Sequence, residues 1–288
     1  MTLVELRRKV DVIDGRLVKL LNERITTVRK IGNLKCSARA EIYVPAREKE
    51  VLCRVQSMNS GPMSNASLRA IYREIMSAAL AVEKPVKVAY FGPANGCAHA
   101  AARSRFGASV KYVGCNSVEH VFSAVEQKKA DYGVVALENT EKGQWAATVR
   151  CFRDSALKIC AEILFSTGVR TASRSHCRFA VLARSFGLAT GDDKTSVVFS
   201  VRKGGTVQGV LALLRTVGLK VILVQSASDR PVFCGDGSKR SGAASCCFVE
   251  VEGHADDKAV AAALEKLAGQ CKVLRILGSY PKAALERG

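Results

Sequence analysis

The sequence predicts a multidomain α and α/β protein: an all-helical block over residues 1–85, a short α/β block over 86–189 and a ferredoxin-like unit over 190–288. Three observations carry that expectation. Apolar residues step by three and four through the first block, the period of an amphipathic helix. After Val86, short β-rich runs alternate with helical stretches, the pattern of an α/β sheet that is mostly parallel. The last block reads strand, helix, strand, strand, helix, strand, the order of a ferredoxin-like unit.

Leu3, Leu6, Val10, Ile13, Leu17, Leu20, Val28 and Ile31 mark one long first helix, to about Leu34. At ~1.5 Å per residue it approaches 50 Å, too long for a lone small domain to cover, so it calls for a partner, most simply a second copy of itself. Gly32 and Asn33 read as its fraying end. Pro45 suits the first turn of a second helix that Gly61 and Pro62 break. Ser64 or Asn65 caps a third helix carrying Leu68, Ile71, Tyr72, Ile75, Ala79 and Val82, which Pro85 closes. VKVAYFG, SVKYV, DYGVVAL, LKICAEI and CRFAVLA are the strands of the middle block, and TGDDK (190–194) is a turn-rich linker. In the last block TSVVFSV, LKVILVQS, SCCFVEVEG and KVLRILG are strands, with helices at 206–216 and 256–268.

Composition narrows the function classes. At 48% hydrophobic and 24% charged the chain is globular, and no apolar run reaches the ~20 residues of a membrane span. The 11 cysteines form no CxxC pair, and with no export signal they read as reduced thiols of a cytoplasmic protein. His99, His120, His176 and His254 show no metal-ligand spacing, so neither a metal nor a cofactor is expected. His176 and Cys177, as neighbours on a strand, point to opposite faces. A net charge of +18 fits either nucleic acid or a small polyanion, but no nucleic-acid motif accompanies it.

Two cations interrupt the apolar stripe of the first helix. Arg24 and Lys35 are eleven residues apart, close to three turns, and fall on one line of its inner face. A bare buried cation costs several kcal/mol, so each needs an anion. Singly, each reads most simply as a long side chain reaching water or pairing with Glu23 or Glu48. Together, beside Arg47, they favour a pocket for a dianion.

ELRRKVDVIDGRLVKLLNERITTVRKIGNLK, YVPAREKEVL and LRAIYREIMSAALAVEKP resemble the all-helical chorismate mutase domain of the bifunctional chorismate mutase–prephenate dehydratases. VAYFGP, ADYGVVALENTEKG and LKICAEI resemble the dehydratase domain, and TGDDKTS and VLRILGSYPKA the flanks of its C-terminal ACT regulatory domain. The likeness implies a homodimer of interlocked three-helix protomers that binds dianionic chorismate and speeds its Claisen rearrangement to prephenate, without cofactor or nucleophile. It gives Arg7 to a substrate carboxylate of the partner's site, Arg24 to a carboxylate of its own site with Arg47 assisting, Lys35 to the breaking ether oxygen and Glu48 to the substrate hydroxyl. Glu83 takes the place of a Gln or Glu facing the ether oxygen, where it must be protonated to donate, so activity falls as pH rises. Arg7 lies about 80° off the Lys35 line, consistent with serving another site.

The dehydratase likeness is eroded. GPxGTFS of the family stands here as GPANGCAHAA, with Ala94, Asn95, Gly96, Cys97 and Ala98 replacing its usual residues. Glu138, Asn139, Gly143 and Thr148 persist in ENTEKGQWAAT, but Ala146 and Ala147 cannot hydrogen-bond a substrate, and Trp145 replaces a smaller residue. The family's Thr-Arg-Phe, whose threonine protonates the departing hydroxyl, is Cys177-Arg178-Phe179, and a thiol is a weak donor. Only about 97 residues, 87 to 183, stand where the family has nearly twice as many. The missing lobe, placed between LKICAEI and CRFAVLA, would have closed the active cleft, leaving a single-lobe domain. The segments to which the resemblance gives L-phenylalanine as effector are altered too: Gly205-Thr206-Val207 replaces GAL, and QSASDRP, with Gln225 and Ser226, replaces ESRP.

The first reading is therefore an active chorismate mutase with an inactive dehydratase half. A complete bifunctional enzyme making phenylpyruvate, a non-catalytic ligand sensor and a nucleic-acid binder follow in that order.

Overall fold

One helix of 35 residues, α1 (Leu3–Ser37), opens the chain. The computed structural model describes residues 1–37, 43–137, 144–166, 177–202, 206–216, 218–227, 246–283 and 285–287. They divide into two units, one of residues 1–44, 51–86 and 106–111, the other of 45–50, 87–105 and 112–288.

In the helical unit every residue from Met1 to Glu23 is exposed, including Leu3, Leu6, Val10, Ile13, Leu17 and Leu20 of the apolar stripe. Helix α2 (Pro45–Ser57) has its proline in the first turn, and α3 (Asn65–Glu83) is capped by Ser64, whose Oγ accepts the Ser67 N–H at 3.0 Å. Helices α1 and α3 pack together. Gly32 does not mark a fraying end: α1 continues to Ser37, and Gly32 is buried beneath Glu83 of α3. A Cβ at Gly32 would stand 2.9 Å from Glu83 Cγ, so the glycine permits the close approach. A turn joins the same unit through Gly107 (φ +72°), after which the Ala108 and Ser109 N–H groups donate to Glu74 Oε2 and Ser77 Oγ of α3.

The second unit holds two sheets. Strands and helices alternate as β1 (Lys87–Phe91), α4 (Cys97–Phe106), β2 (Lys111–Cys115), α5 (Val118–Glu126), β3 (Tyr132–Ala136), α6 (Gln144–Asp154), β4 (Lys158–Ser166) and β5 (Cys177–Ala183). A short C-terminal strand, β10 (Leu285–Arg287), completes a six-stranded sheet of order β10-β4-β5-β3-β1-β2. The expected mostly parallel sheet is mixed: β1 pairs β3 and β10 pairs β4 in parallel, whereas β5 runs antiparallel to both β3 and β4. The cause is the connection: ten residues, 167–176, join β4 to β5, too few for the crossover that a parallel neighbour requires.

The remaining elements are β6 (Asp193–Val201), α7 (Val207–Thr216), β7 (Val221–Ala227), β8 (Cys246–Glu252), α8 (Lys258–Gln270) and β9 (Cys271–Pro281). Their sheet has the order β7-β8-β6-β9 with antiparallel pairings, which is the ferredoxin-like topology. One face buries α7 and α8 against Val197, Phe199, Val249 and Val251. The opposite face contributes Val198, Phe248, Leu277 and Tyr280 to the core of the six-stranded sheet, beside Ile159, Ala180 and Leu182. Trp145 belongs to that core and meets Phe248 edge-on at 5.0 Å between ring centres. Strand β9 crosses β4 at Gly278, where any Cβ would collide with the backbone carbonyl of Ile159. Among the described residues no helix is long and apolar enough to cross a membrane.

Gly278→Ala is expected to force the two sheets apart at this crossing, lowering stability by about 1–3 kcal/mol. Urea unfolding reads it as a lower midpoint; an unchanged midpoint would refute the close approach.

Candidate active site

Within the helical unit Gly32 of α1 packs against Glu83 of α3, and Arg24 and Lys35 stand on α1 on either side of that contact. Arg24 is half-buried on α1; its Nη1 is shielded from solvent and has no hydrogen-bond partner. A shielded, unmatched guanidinium nitrogen is costly in the isolated chain and suits a carboxylate ligand. Lys35 stands on the last turns of α1, with its side chain outside the described residues. Arg7 is exposed near the start of α1, seventeen positions and about 25 Å along the axis from Arg24, so it cannot reach its own chain's Arg24.

Arg47 and Glu48 fall in the second unit, on the first turn of α2. Arg47 pairs with Glu50 at 2.6 Å in solvent, and Glu48 pairs with Arg105 of α4 at 3.2 Å, with both side chains largely covered. The neighbouring Lys49 donates to Asp192 at 2.7 Å.

The eroded motifs of the α/β unit converge only in part. Gly92 (φ +104°) and Asn95 (φ +64°) shape the turn before α4, where Asn95 N–H donates to His99 Nδ1 at 2.9 Å. The His99 ring stacks on Tyr90 at 4.8 Å and meets Tyr112 edge-on at 5.2 Å; burial, then Arg103, hold its pKa below the usual value. Cys97 stands on the first turn of α4 and Cys177 at the start of β5. Thr148 and Phe179 are buried. Glu138, Asn139, Gly143 and His176 lie outside the described residues.

Arg178 is held by carboxylates from both sheets. Its Nε and Nη2 donate to Glu162 Oε1 of β4 at 2.8 and 2.5 Å, and Nη2 donates to both oxygens of Glu250 of β8 at 2.8 Å. Lys194 of β6 completes the cluster, reaching Glu162 at 2.8 Å and Glu250 at 3.1 Å. The Tyr280 hydroxyl and Ser196 lie 2.6 Å apart against the same Glu250. Glu162, Lys194 and Glu250 are buried. Burial alone pushes the Glu162 carboxyl up; Lys194 and then Arg178 outweigh it and hold the carboxyl below the usual glutamate range. For Arg178 burial acts against the charge, yet Glu162 and Glu250 raise its pKa further. Burial also drives the Tyr280 hydroxyl well above its normal value. Glu162, Lys194 and Glu250 are not among the residues expected from sequence, although the lone acid inside LKICAEI and the first of the two inside SCCFVEVEG are a usable signal, since strands buried on both faces rarely carry one unpaired.

In the ferredoxin-like unit Thr206 caps α7, its Oγ1 accepting the Gly209 N–H at 3.0 Å, and Val207 is half-buried. Gln225 on β7 has its Oε1 shielded and without a hydrogen-bond partner. Gly205 and the side chain of Ser226 lie outside the described residues. His254 is buried, its Nδ1 accepting the Asp256 N–H at 3.2 Å and its Nε2 lying 3.1 Å from the Gly187 carbonyl, a structural arrangement.

Comparison with known proteins identifies both halves. Residues 6–84 match the family described as chorismate mutase type II, and residues 88–184 match prephenate dehydratase. A bifunctional chorismate mutase/prephenate dehydratase of Aquifex aeolicus (strain VF5) is 30% identical, with 99% of each chain covered. That alignment runs over 367 positions against a chain of 288, so this chain lacks about 80 of them. Two solved structures share the fold. A prephenate dehydratase of Arthrobacter aurescens in complex with L-Phe has a TM-score of 0.56 at 19% identity, covering 69% of this chain and 90% of its own. That of Streptococcus mutans gives 0.53 at 24%, covering 68% and 97%.

Breaking the buried cluster from one side is expected to be severe. Glu250→Gln should lower stability by about 3–5 kcal/mol in urea unfolding, because Arg178 and Lys194 then share one carboxylate. The pH dependence has a definite sign. The folded Glu162 value lies below the unfolded one, so its contribution is full above about 4.3 and is lost as pH falls through the folded value. The wild-type midpoint should drop on acidification below that point, and Glu162→Gln should flatten the slope.

Proposed function

We propose, from the premise that the chain belongs to the bifunctional chorismate mutase/prephenate dehydratase family, that its helical unit rearranges chorismate to prephenate and that its dehydratase half has lost its own reaction. The observation that carries the first part is Arg24, a shielded guanidinium nitrogen with no partner on the helix that also bears Lys35. A substrate carboxylate supplies the missing partner. The rearrangement needs no proton transfer or nucleophile from the protein; it needs the dianion held in its reactive conformer and negative charge on the breaking ether oxygen stabilised. In this reading Arg24 grips one carboxylate, and Lys35 donates to the ether oxygen with Glu83 facing the same atom.

Arg7 completes the site only from a second chain, since its own Arg24 is out of reach. The exposed apolar stripe of α1 supports such a homodimer, because an amphipathic helix leaves that face bare only when another surface covers it.

Three features support loss of dehydration. Arg178 is engaged by two buried carboxylates, Glu162 and Glu250, with which any substrate anion would have to compete. A thiol stands in place of the acid threonine. The ten-residue link between β4 and β5 leaves no room for a second lobe, in keeping with the shortfall of about 80 positions against the Aquifex relative. The ferredoxin-like unit is read as an ACT domain. The shielded Gln225 Oε1, in the place of the family's acid, supports an amino-acid ligand there, L-phenylalanine being the first to test.

With purified protein, chorismate should disappear as prephenate forms, and Lys35→Ala should lower kcat by about 10²–10³-fold. Arg7→Ala and Arg24→Ala should each be nearly inactive, whereas mixed they should recover activity that neither has alone. No wild-type turnover above background would end the mutase reading, and phenylpyruvate formed from added prephenate would end the claim of a lost dehydratase. Titration calorimetry with L-phenylalanine should show binding that Gln225→Ala removes.

A further inference from the structure

A groove of about 490 Å³ lies in the second unit between α8, the edge strand β9 and the start of β4, and the proposed chemistry uses none of its residues. Its floor is apolar for a periodic reason. Ala261, Leu264, Glu265 and Ala268 recur at steps of three and four, so they share one face of α8, and Leu274 and Ile276 alternate along β9. Leu264 is buried, Leu274 and Ile276 are partly covered, and the two alanines are exposed. Short side chains on the helix therefore leave the groove open, with a volume inside the ~300–1,000 Å³ typical of small-molecule sites.

Two opposite charges border that floor. Lys158, the first residue of β4, is half-buried and donates to the Ile276 carbonyl at 2.7 Å. Among the described residues no carboxylate pairs with it. The neighbouring Arg275 is engaged elsewhere, donating to the Arg153 and Ser155 carbonyls at 2.5 Å each, so Lys158 is the cation that the groove presents. Burial first, and the charge of Arg275 second, hold the Lys158 pKa below the usual lysine value, so its ammonium gains from an anion. Glu265 stands exposed on the helix wall and makes no ion pair with Lys158.

We propose that this groove binds a small organic monocarboxylate with a compact apolar body, its carboxylate on Lys158 and its body against Leu264, Leu274 and Ile276. The ammonium has two N–H donors beyond the one given to Ile276, enough for one carboxylate. Glu265 sets the selectivity, because a second carboxylate at the far end of a ligand would meet a like charge. Dianions such as chorismate and prephenate are thereby turned away, so the site stands apart from the proposed mutase chemistry. Lys158 comes from the six-stranded sheet and the other lining residues from the ferredoxin-like unit, so a bound acid would tie the two sheets together and raise the unfolding temperature.

Titration calorimetry on the full chain tests this, with hydrocinnamate as the probe and para-carboxyhydrocinnamate as its dianionic counterpart. Saturable binding of hydrocinnamate, at least tenfold tighter than that of the dianion, is expected. Lys158→Met should weaken it by about 10–100-fold, the contribution of a charged hydrogen bond, and Glu265→Gln should narrow the preference between the two acids. Ala268→Phe, at an exposed helix position, should fill the groove and block binding while circular dichroism shows the fold intact. Arg24→Ala and Gln225→Ala should bind the probe as the wild type does, which separates this groove from the other two proposed sites. No binding of hydrocinnamate, equal affinity for the two acids, or unchanged affinity in both Lys158→Met and Ala268→Phe would each overturn the proposal.

Discussion

Two carboxylates and two cations buried at zero net charge hold the α/β half of this protein together. Glu162 and Arg178 come from neighbouring strands of the six-stranded sheet, Lys194 and Glu250 from neighbouring strands of the ferredoxin-like sheet. An ion in such a place costs several kcal/mol alone, and only the complete set cancels that cost. The cluster therefore makes the packing of the two sheets all-or-none: separating them would strand four charges. The crossing of β9 over β4 at Gly278 and the Trp145–Phe248 contact follow from the same close apposition. The six-stranded sheet thus has strands covered by the C-terminal sheet.

The two halves use the same side-chain chemistry to opposite ends. In the α/β unit an arginine at a family motif is paired with carboxylates from two sheets. On α1 an arginine at a family motif keeps a shielded nitrogen unmatched, and the apolar face of its helix stands bare. A satisfied cation fixes structure, whereas an unsatisfied one is a standing demand for an anion from outside the chain. Sorting the arginines by their counter-ions separates the proposed chemistry from the scaffold better than motif likeness does, because both arginines sit in recognisable motifs.

Much of this arrangement was legible beforehand, and the failures are informative. The three helices, their proline and serine starts and the strand–helix alternation follow from periodicity and capping, which act within a few residues. Gly32 was misread as a helix end because nothing local shows that Glu83 needs the space. Alternation by itself implies crossovers and a parallel sheet, whereas β5, entered through a short link, turns back. Strand β10 escaped notice since three residues carry no pattern of their own.

What the sequence alone determined is nearly every element and the spacing of Arg24 and Lys35 along the first helix, both consequences of a repeat that each short stretch carries in itself. Tertiary structure decided which charges meet. Arg178 finds Glu162 sixteen residues away and Glu250 seventy-two away. Such encounters depend on strand order and sheet packing, which set distances between parts of the chain that no local spacing relates.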